Sequence, residues 1–312
     1  IIADANVWHE LDYSFDTSNL ESKNKLAILK EAYEYAAVVP SLGGKSGSYF
    51  TKVVLDISQK GQYFVVVNAN FIDVGLASYS SPVQPELSTQ VFSQLLDDSS
   101  PPVLHFQAVT VQTVMANERV ELWLFIKAKQ FPTPVSITVL DSTEFYRFQK
   151  FNNGISIAGI TTMFILSLLA LLIYSGTRKR VALTCAGYLG IHAIGWMAAS
   201  GMLGDIVHFP FNTSYWGMLL FPFAIACAAQ FVSDLFECKT DHKKLFKFLN
   251  TLSLVSVVLG VGMWFMPFSI AYLLSHLLAM FWIVVTIAVG VSMIRQQDFR
   301  AKYFLAGNLL YS

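Results

Sequence analysis

The chain has 312 residues, 54% hydrophobic and only 13% charged, against about 25% charged in an ordinary soluble protein. Lys and Arg match Asp and Glu at 21 each, so the whole-chain balance offers nothing to a polyanion and nucleic acid is not an expected partner. The zero hides a split: residues 1–150 hold 11 basic and 16 acidic side chains, net −5, and residues 151–312 hold 10 and 5, net +5.

In chain order, residues 20–37 carry the one helical pattern of the acidic half, with Leu26, Leu29, Tyr33 and Ala36 near one face. Residues 52–57 then alternate, Val53, Leu55 and Ile57 against Lys52, Val54 and Asp56. A turn at 58–61 predicts a hairpin with the next apolar run, 62–68. Further strands are expected at 71–79, 104–113, 119–129 and 135–140, with loops at 80–85 and 97–102. The run 119–129 is the clearest, with Val120, Leu122, Leu124, Ile126 and Ala128 on one face and Trp123, Phe125 and charged side chains on the other. Short strands punctuated by turns predict an all-β sandwich of jelly-roll type over residues 1–148. The three cysteines, Cys185, Cys227 and Cys238, all fall later, so this domain must be held by its core and not by disulfides.

Residues 149–312 predict an α-helical transmembrane bundle. A bilayer core takes about 20 apolar residues in a helix. The stretches 154–174, 181–202, 216–236, 248–266 and 270–293 each supply them, and a sixth begins at 304. All ten Lys and Arg after residue 150 lie at 178–180, 239–247 and 295–302, and the alternate connections have none. Positive residues mark the cytoplasmic side, which predicts an extracytoplasmic N-terminal domain. Residues 146–153 read as a short connection into the first span, and the chain reads as cut short at both ends.

An acidic β domain leads into Gly154 and Gly159. The span after it closes on Leu171, Leu172, Ile173 and Tyr174 before a basic turn, and the second span carries Gly187, Tyr188, Gly190, Gly195 and Trp196. A third runs through Phe231, Val232, Ser233, Asp234, Leu235 and Phe236 into a basic segment. In these features the chain resembles the bacterial seven-transmembrane receptors with diverse intracellular signalling modules. The resemblance implies a protein of the bacterial inner membrane with a periplasmic sensor domain related to carbohydrate-binding sandwiches. It also implies a signal relayed to a cytoplasmic output, a diguanylate cyclase or histidine kinase foremost, and a homodimer by analogy.

Candidate ligand-binding residues are Trp123, Phe125, Trp8 and Tyr79, with Tyr13 and Tyr63, because aromatic faces stack on the CH-rich faces of sugars. Against this, large aromatics mostly serve as core, and a second layer, the helix at 20–37 among the options, would cover Trp123 and Phe125. Candidate signalling residues are the intramembrane His192 and His276 and the interfacial Asp234. For the histidines, the competing reading is a neutral ring hydrogen-bonded across a helix interface. Asp234 is expected to pair with a loop cation, Gln230 and Asn250 to bond between helices, and Pro222 to kink the third span. His9 and His105 have no companion at metal-ligand spacing, and no nucleophile or phosphate-loop motif is present. The chain is therefore expected to be non-enzymatic, without metal or cofactor, and its partners to be the lipid bilayer and a small ligand or periplasmic protein. The alternative is a transporter or polysaccharide-handling component with an outer capture domain, disfavoured because its spans are nearly free of charge.

Overall fold

The computed structural model describes residues 2–4, 7–11, 24–69, 72–80, 88–92, 106–113, 115–207, 209 and 212–311. Among them the chain forms β1 (Ile2–Asp4), β2 (Trp8–Leu11), α1 (Asn24–Tyr35), β3 (Val38–Val39), β4 (Gly47–Ile57), β5 (Gly61–Asn68), β6 (Ile72–Ser80), β7 (Ser88–Phe92), β8 (Gln107–Thr113), β9 (Glu118–Ala128) and β10 (Ser136–Asp141). The helices α2 (Ser142–Thr177), α3 (Arg180–Ala199), α4 (Met202–Ile206), α5 (Ser214–Leu235), α6 (Cys238–Asp241), α7 (Lys243–Met263), α8 (Phe268–Arg295) and α9 (Arg300–Tyr311) follow. Two compact units result, Ile1–Ile157 with Ala198–Ser214, and Ala158–Met197 with Tyr215–Ser312. Antiparallel sheets followed by helices are the mixed architecture that the sequence predicts.

In the first unit one sheet runs β3-β2-β4-β9-β6-β7, with β1 also on β4, and the other runs β10-β5-β8. The longest pairing is β4 with β9, from Gly47 opposite Ala128 to Ile57 opposite Glu118. The predicted inward residues of both strands, Val53, Leu55, Ile57, Val120, Leu122, Leu124 and Ile126, lie in one buried core with Val65, Val67, Val109 and Val111 of the smaller sheet. Two sheets sharing one core make a sandwich.

The expected hairpin at 58–61 does not form. β4 pairs with β1, β2 and β9, and β5 pairs with β8 and β10. The turn carries the chain from one sheet to the other, so that Leu55 of β4 and Val65 of β5 enter the same core from opposite sides. Alternation with a tight turn is the signal of a hairpin and of such a crossover alike, and only the choice of partner separates them. The loops expected at 81–85 and 97–102, together with Phe71, Leu104, His105, Tyr13 and residues 20–23, lie outside the described residues.

Each sheet has a second face, and each is covered. On the larger sheet, Leu11, Phe50, Leu76, Trp123 and Phe125 are buried with Ala32, Tyr33 and Ala36 against them. On the smaller, Phe64, Val66 and Ala108 are buried with Phe145 and Phe148, from the first turns of α2. The rings of Phe64 and Phe145 stack at 3.9 Å with planes 11° apart. Residues 146–153, expected as a connection, are helical. At about 1.5 Å per residue, α2 is about 54 Å long, well beyond the roughly 30 Å of a hydrocarbon core, and its polar start (Glu144, Arg147, Lys150) belongs to the first unit.

In the second unit, α2, α3, α5, α7 and α8 are long and apolar enough to cross a membrane. Without a hydrophobic force between helices in lipid, close approach and polar ties hold a bundle together. Serine hydroxyls supply the ties, each donating to a backbone carbonyl of a neighbouring helix. Ser167 reaches Ala186 at 2.9 Å, Ser253 reaches Ala226 at 3.0 Å, and Ser275 reaches Met218 at 3.2 Å. Glycine permits the approach: a Cβ on Gly260 would stand 2.8 Å from the Phe223 ring, and one on Gly190 2.8 Å from Ser167 Oγ. Trp216 meets Trp264 edge to face at 4.3 Å, and Tyr215 meets Phe268 at 4.6 Å. These aromatics gather at the end of the bundle away from the basic connections, where a membrane interface places them.

Candidate functional site

The four predicted ligand rings are not brought together. Trp8 is buried in the core between the sheets, where Tyr79 packs against it only in part, and Trp123 and Phe125 are buried on the opposite face. Of the competing readings for that face, the covering helix is the one realised, since α1 lies over it through Tyr33. The Tyr33 ring stands 4.3 Å from His9 and meets Trp123 edge to face at 5.4 Å, with Phe50 at 6.4 Å.

This box is incompletely bonded among the described residues. His9 Nδ1 lies 3.4 Å from the Ala36 carbonyl, which can only accept, so Nδ1 carries a proton and a neutral ring leaves Nε2 as an acceptor. His9 Nε2 and Trp123 Nε1 are both buried without a hydrogen-bond partner among the described residues. Leaving a buried polar atom unsatisfied costs about 1–3 kcal/mol. Among the described residues the box therefore holds one unused acceptor and one unused donor, each in a ring that touches Tyr33. Nothing near His9 in the sequence marks it for such a place, because its ring partners come from segments far along the chain.

Within the second unit, His192 packs among aromatics, 5.6 Å from Tyr188 and 5.2 Å from Phe221. His276 Nδ1 lies 2.9 Å from the Tyr272 carbonyl one turn earlier, and the two rings are 4.1 Å apart. That bond lies within its own helix, not across an interface. Pro222 is inside α5 and cannot donate to the Met218 carbonyl, which Ser275 satisfies from α8.

Asp234 sits at the centre of a polar chain across three helices. Arg180 Nε of α3 lies 3.5 Å from Asp234 Oδ2 of α5, and Thr184 Oγ1 donates to the same oxygen at 3.3 Å. Arg180 also donates to Gln230 Oε1 at 3.3 Å, and Gln230 Nε2 donates to Asn250 Oδ1 of α7 at 3.2 Å. The cation is Arg180, the first residue of α3 and not a loop residue, a pairing that no local pattern in the sequence could indicate. The expected interhelical bond of Gln230 and Asn250 is present, each to the other.

Beside this chain lies a second cluster. Arg300, opening α9, donates to Asp298 Oδ2 at 2.9 Å and to Glu237 Oε1 at 3.0 Å. The Arg300 hydrogen bond holds the Asp298 carboxyl below its usual value, and Asp298 in turn raises Arg300. Burial pushes the Cys238 thiol up to about 11, so it stays protonated at neutral pH. Arg178, Glu237 and Gln297, one in each basic connection, adopt left-handed backbone at φ 57°, 49° and 61°. Among the described residues no group of three His, Cys, Asp or Glu side chains is disposed to hold a metal ion.

An N-terminal antiparallel β region, five apolar helices and polar ties at the basic end of the bundle define a multi-helix membrane protein built to couple its helices. The chain belongs to the 7TM diverse intracellular signalling family, whose model matches residues 152–312. Membership makes it a transmembrane receptor for signalling. No curated protein matches the chain.

Proposed function

We propose that this receptor lies in the bacterial inner membrane with its sandwich in the periplasm, where it senses a carbohydrate-like ligand or a partner protein. It drives a cytoplasmic output of the diguanylate cyclase or histidine kinase type, acting as a homodimer. The observation that carries the reading is α2. This helix runs unbroken from Ser142 to Thr177, and its first turns cover the outer face of the smaller sheet through Phe145 and Phe148. A change in that sheet therefore meets the beginning of a membrane helix directly, with no loop in between. Helix shifts of an ångström or two are an established means of signalling.

The orientation rests on the ten-to-none distribution of Lys and Arg. The ligand class rests on the box beneath α1, whose unused donor and acceptor and aromatic walls suit a hydroxyl-rich molecule that displaces the helix.

The test is made in whole cells carrying the receptor with its output, read as cyclic dinucleotide or phosphorylated protein during challenge with a panel of oligosaccharides. Phe64→Ala with Phe145→Ala is expected to abolish the response while membrane insertion is retained. An unchanged response would remove the sandwich from the signal path. Cysteine placed at Lys60 should react with an impermeant maleimide in intact spheroplasts, and cysteine placed at Lys239 should not; the reverse would invert the topology.

A further inference from the structure

Between α7 and α8, at the basic end of the bundle, lies a groove of ≈ 870 Å³. Its walls divide by chemistry. Phe248 of α7 and Phe281, Val284 and Ala288 of α8 line an apolar stretch, and His242, Lys243 and Lys244 stand at one end of it. From Phe281 to Gln296, which also lines the groove, α8 advances by about 22 Å. That exceeds the roughly 15 Å hydrocarbon depth of one leaflet.

The polar end is arranged for an anion. α7 begins at Lys243, has no acidic residue in its first turn, and its N-cap His242 makes no side-chain capping bond. Two lysines therefore add to the positive end of the helix dipole instead of opposing it. Neither is in an ion pair among the described residues. Asp241 is the one carboxylate among the lining residues, so the two lysines leave a net charge of +1 there. An uncapped, doubly cationic helix start is unfavourable by itself, and its apolar extension has no use for a free inorganic ion.

We propose that this groove is a specific site for an anionic phospholipid, its phosphate held by His242, Lys243 and Lys244 and an acyl chain lying along the apolar stretch. Basic pockets between membrane helices on the cytoplasmic side are suited to such headgroups. The site lies beside α6 and Glu237, so an occupied groove would bear on the same connection that Arg300 ties down.

The test uses the whole chain purified in detergent and exposed to phosphatidylglycerol or phosphatidylcholine of the same acyl chains, with retained lipid counted by native mass spectrometry. Phosphatidylglycerol is expected to be retained preferentially. Retention should weaken about thirtyfold in Lys243→Gln/Lys244→Gln and stay unchanged in Lys239→Gln/Lys247→Gln, which removes the same charge outside the groove lining. Ala288→Trp, filling the apolar stretch with both lysines intact, should also expel the lipid. Circular dichroism and gel filtration confirm that each variant is folded. Equal retention of the two lipids, equal losses in the two lysine pairs, or full retention in Ala288→Trp overturns the proposal. Displacement of the lipid by sodium phosphate, or a dimer of the chain that excludes phosphatidylglycerol, overturns it as well.

Discussion

The Ser275 hydroxyl donates at 3.2 Å to the carbonyl of Met218, the carbonyl that Pro222, four residues on, cannot reach. In lipid no water is at hand to repair such a gap, so a neighbouring helix must. The bond thus makes a proline in α5 tolerable and ties α5 to α8. Ser275→Ala is expected to destabilise the bundle by about 1 kcal/mol, seen as a lower midpoint of thermal unfolding in detergent. In a Pro222→Ala background the helix regains its own donor, and the same substitution should cost much less. Equal costs in the two backgrounds would show that Ser275 acts through packing alone.

Gly75 of β6 faces Phe92 of β7 across the sheet, and a Cβ at Gly75 would run into the Phe92 ring. Phe92 is buried in the inter-sheet core, so its ring can move aside only by disturbing that packing. Gly75→Ala should therefore destabilise the sandwich by about 1–3 kcal/mol, as overpacking does. Gly75→Ala/Phe92→Leu should cost less than the two single changes added together. Unfolding followed by near-ultraviolet circular dichroism measures both, and strict additivity would place the ring clear of Gly75.

Much of this molecule is legible because its two halves bury themselves by different periods. The alternation of 119–129 picks out the inward face of β9, and the apolar lengths after 150 pick out the five long helices. What the pattern cannot supply is partnership. Nothing local tells the turn after Ile57 to cross between sheets, or pairs Asp234 with Arg180. β1, β2, β3 and β7 are two to five residues long, too short for any alternation to register. The outer face of β9 illustrates a further limit. Trp123 and Phe125 alternate with charges, as a solvent face does, yet α1 covers them. His9 and Tyr33, which complete that box, belong to segments remote from β9 and carry no motif of their own.

Cys238 is fully buried beside Phe236 and Leu249, and its thiol is pushed up to about 11 by burial. The thiolate is the reactive form, and both its population and its access are suppressed. Iodoacetamide at pH about 8 should leave Cys238 unmodified in the folded protein and alkylate it after denaturation, as read by peptide mass spectrometry. Rapid native labelling would mean that the α6 connection opens readily. Arg300→Gln, which frees Glu237 at the head of α6, is the variant expected to speed that labelling.

Asp298 provides a pH-dependent share of stability. Its carboxyl is held below the ordinary value of 3.8, chiefly by the hydrogen bond from Arg300, so the folded state binds its proton less readily than the unfolded chain does. Such a group stabilises at pH above the unfolded value and loses its contribution as pH falls through the folded one. The stability gap between the protein and Asp298→Asn should therefore stay level from about pH 7 to about pH 5 and close progressively below about pH 4. In Arg300→Gln the depression loses its main cause, and a further Asp298→Asn change should then make little difference at any pH. The Glu237 arm of the cluster is more exposed than the Asp298 arm and should weaken first as salt is raised, since screening acts most on exposed charges. Thermal midpoints across pH, at low and high salt, separate these contributions. A gap that persists unchanged at about pH 3 would show that Asp298 contributes through its shape and hydrogen bonds and not through its charge.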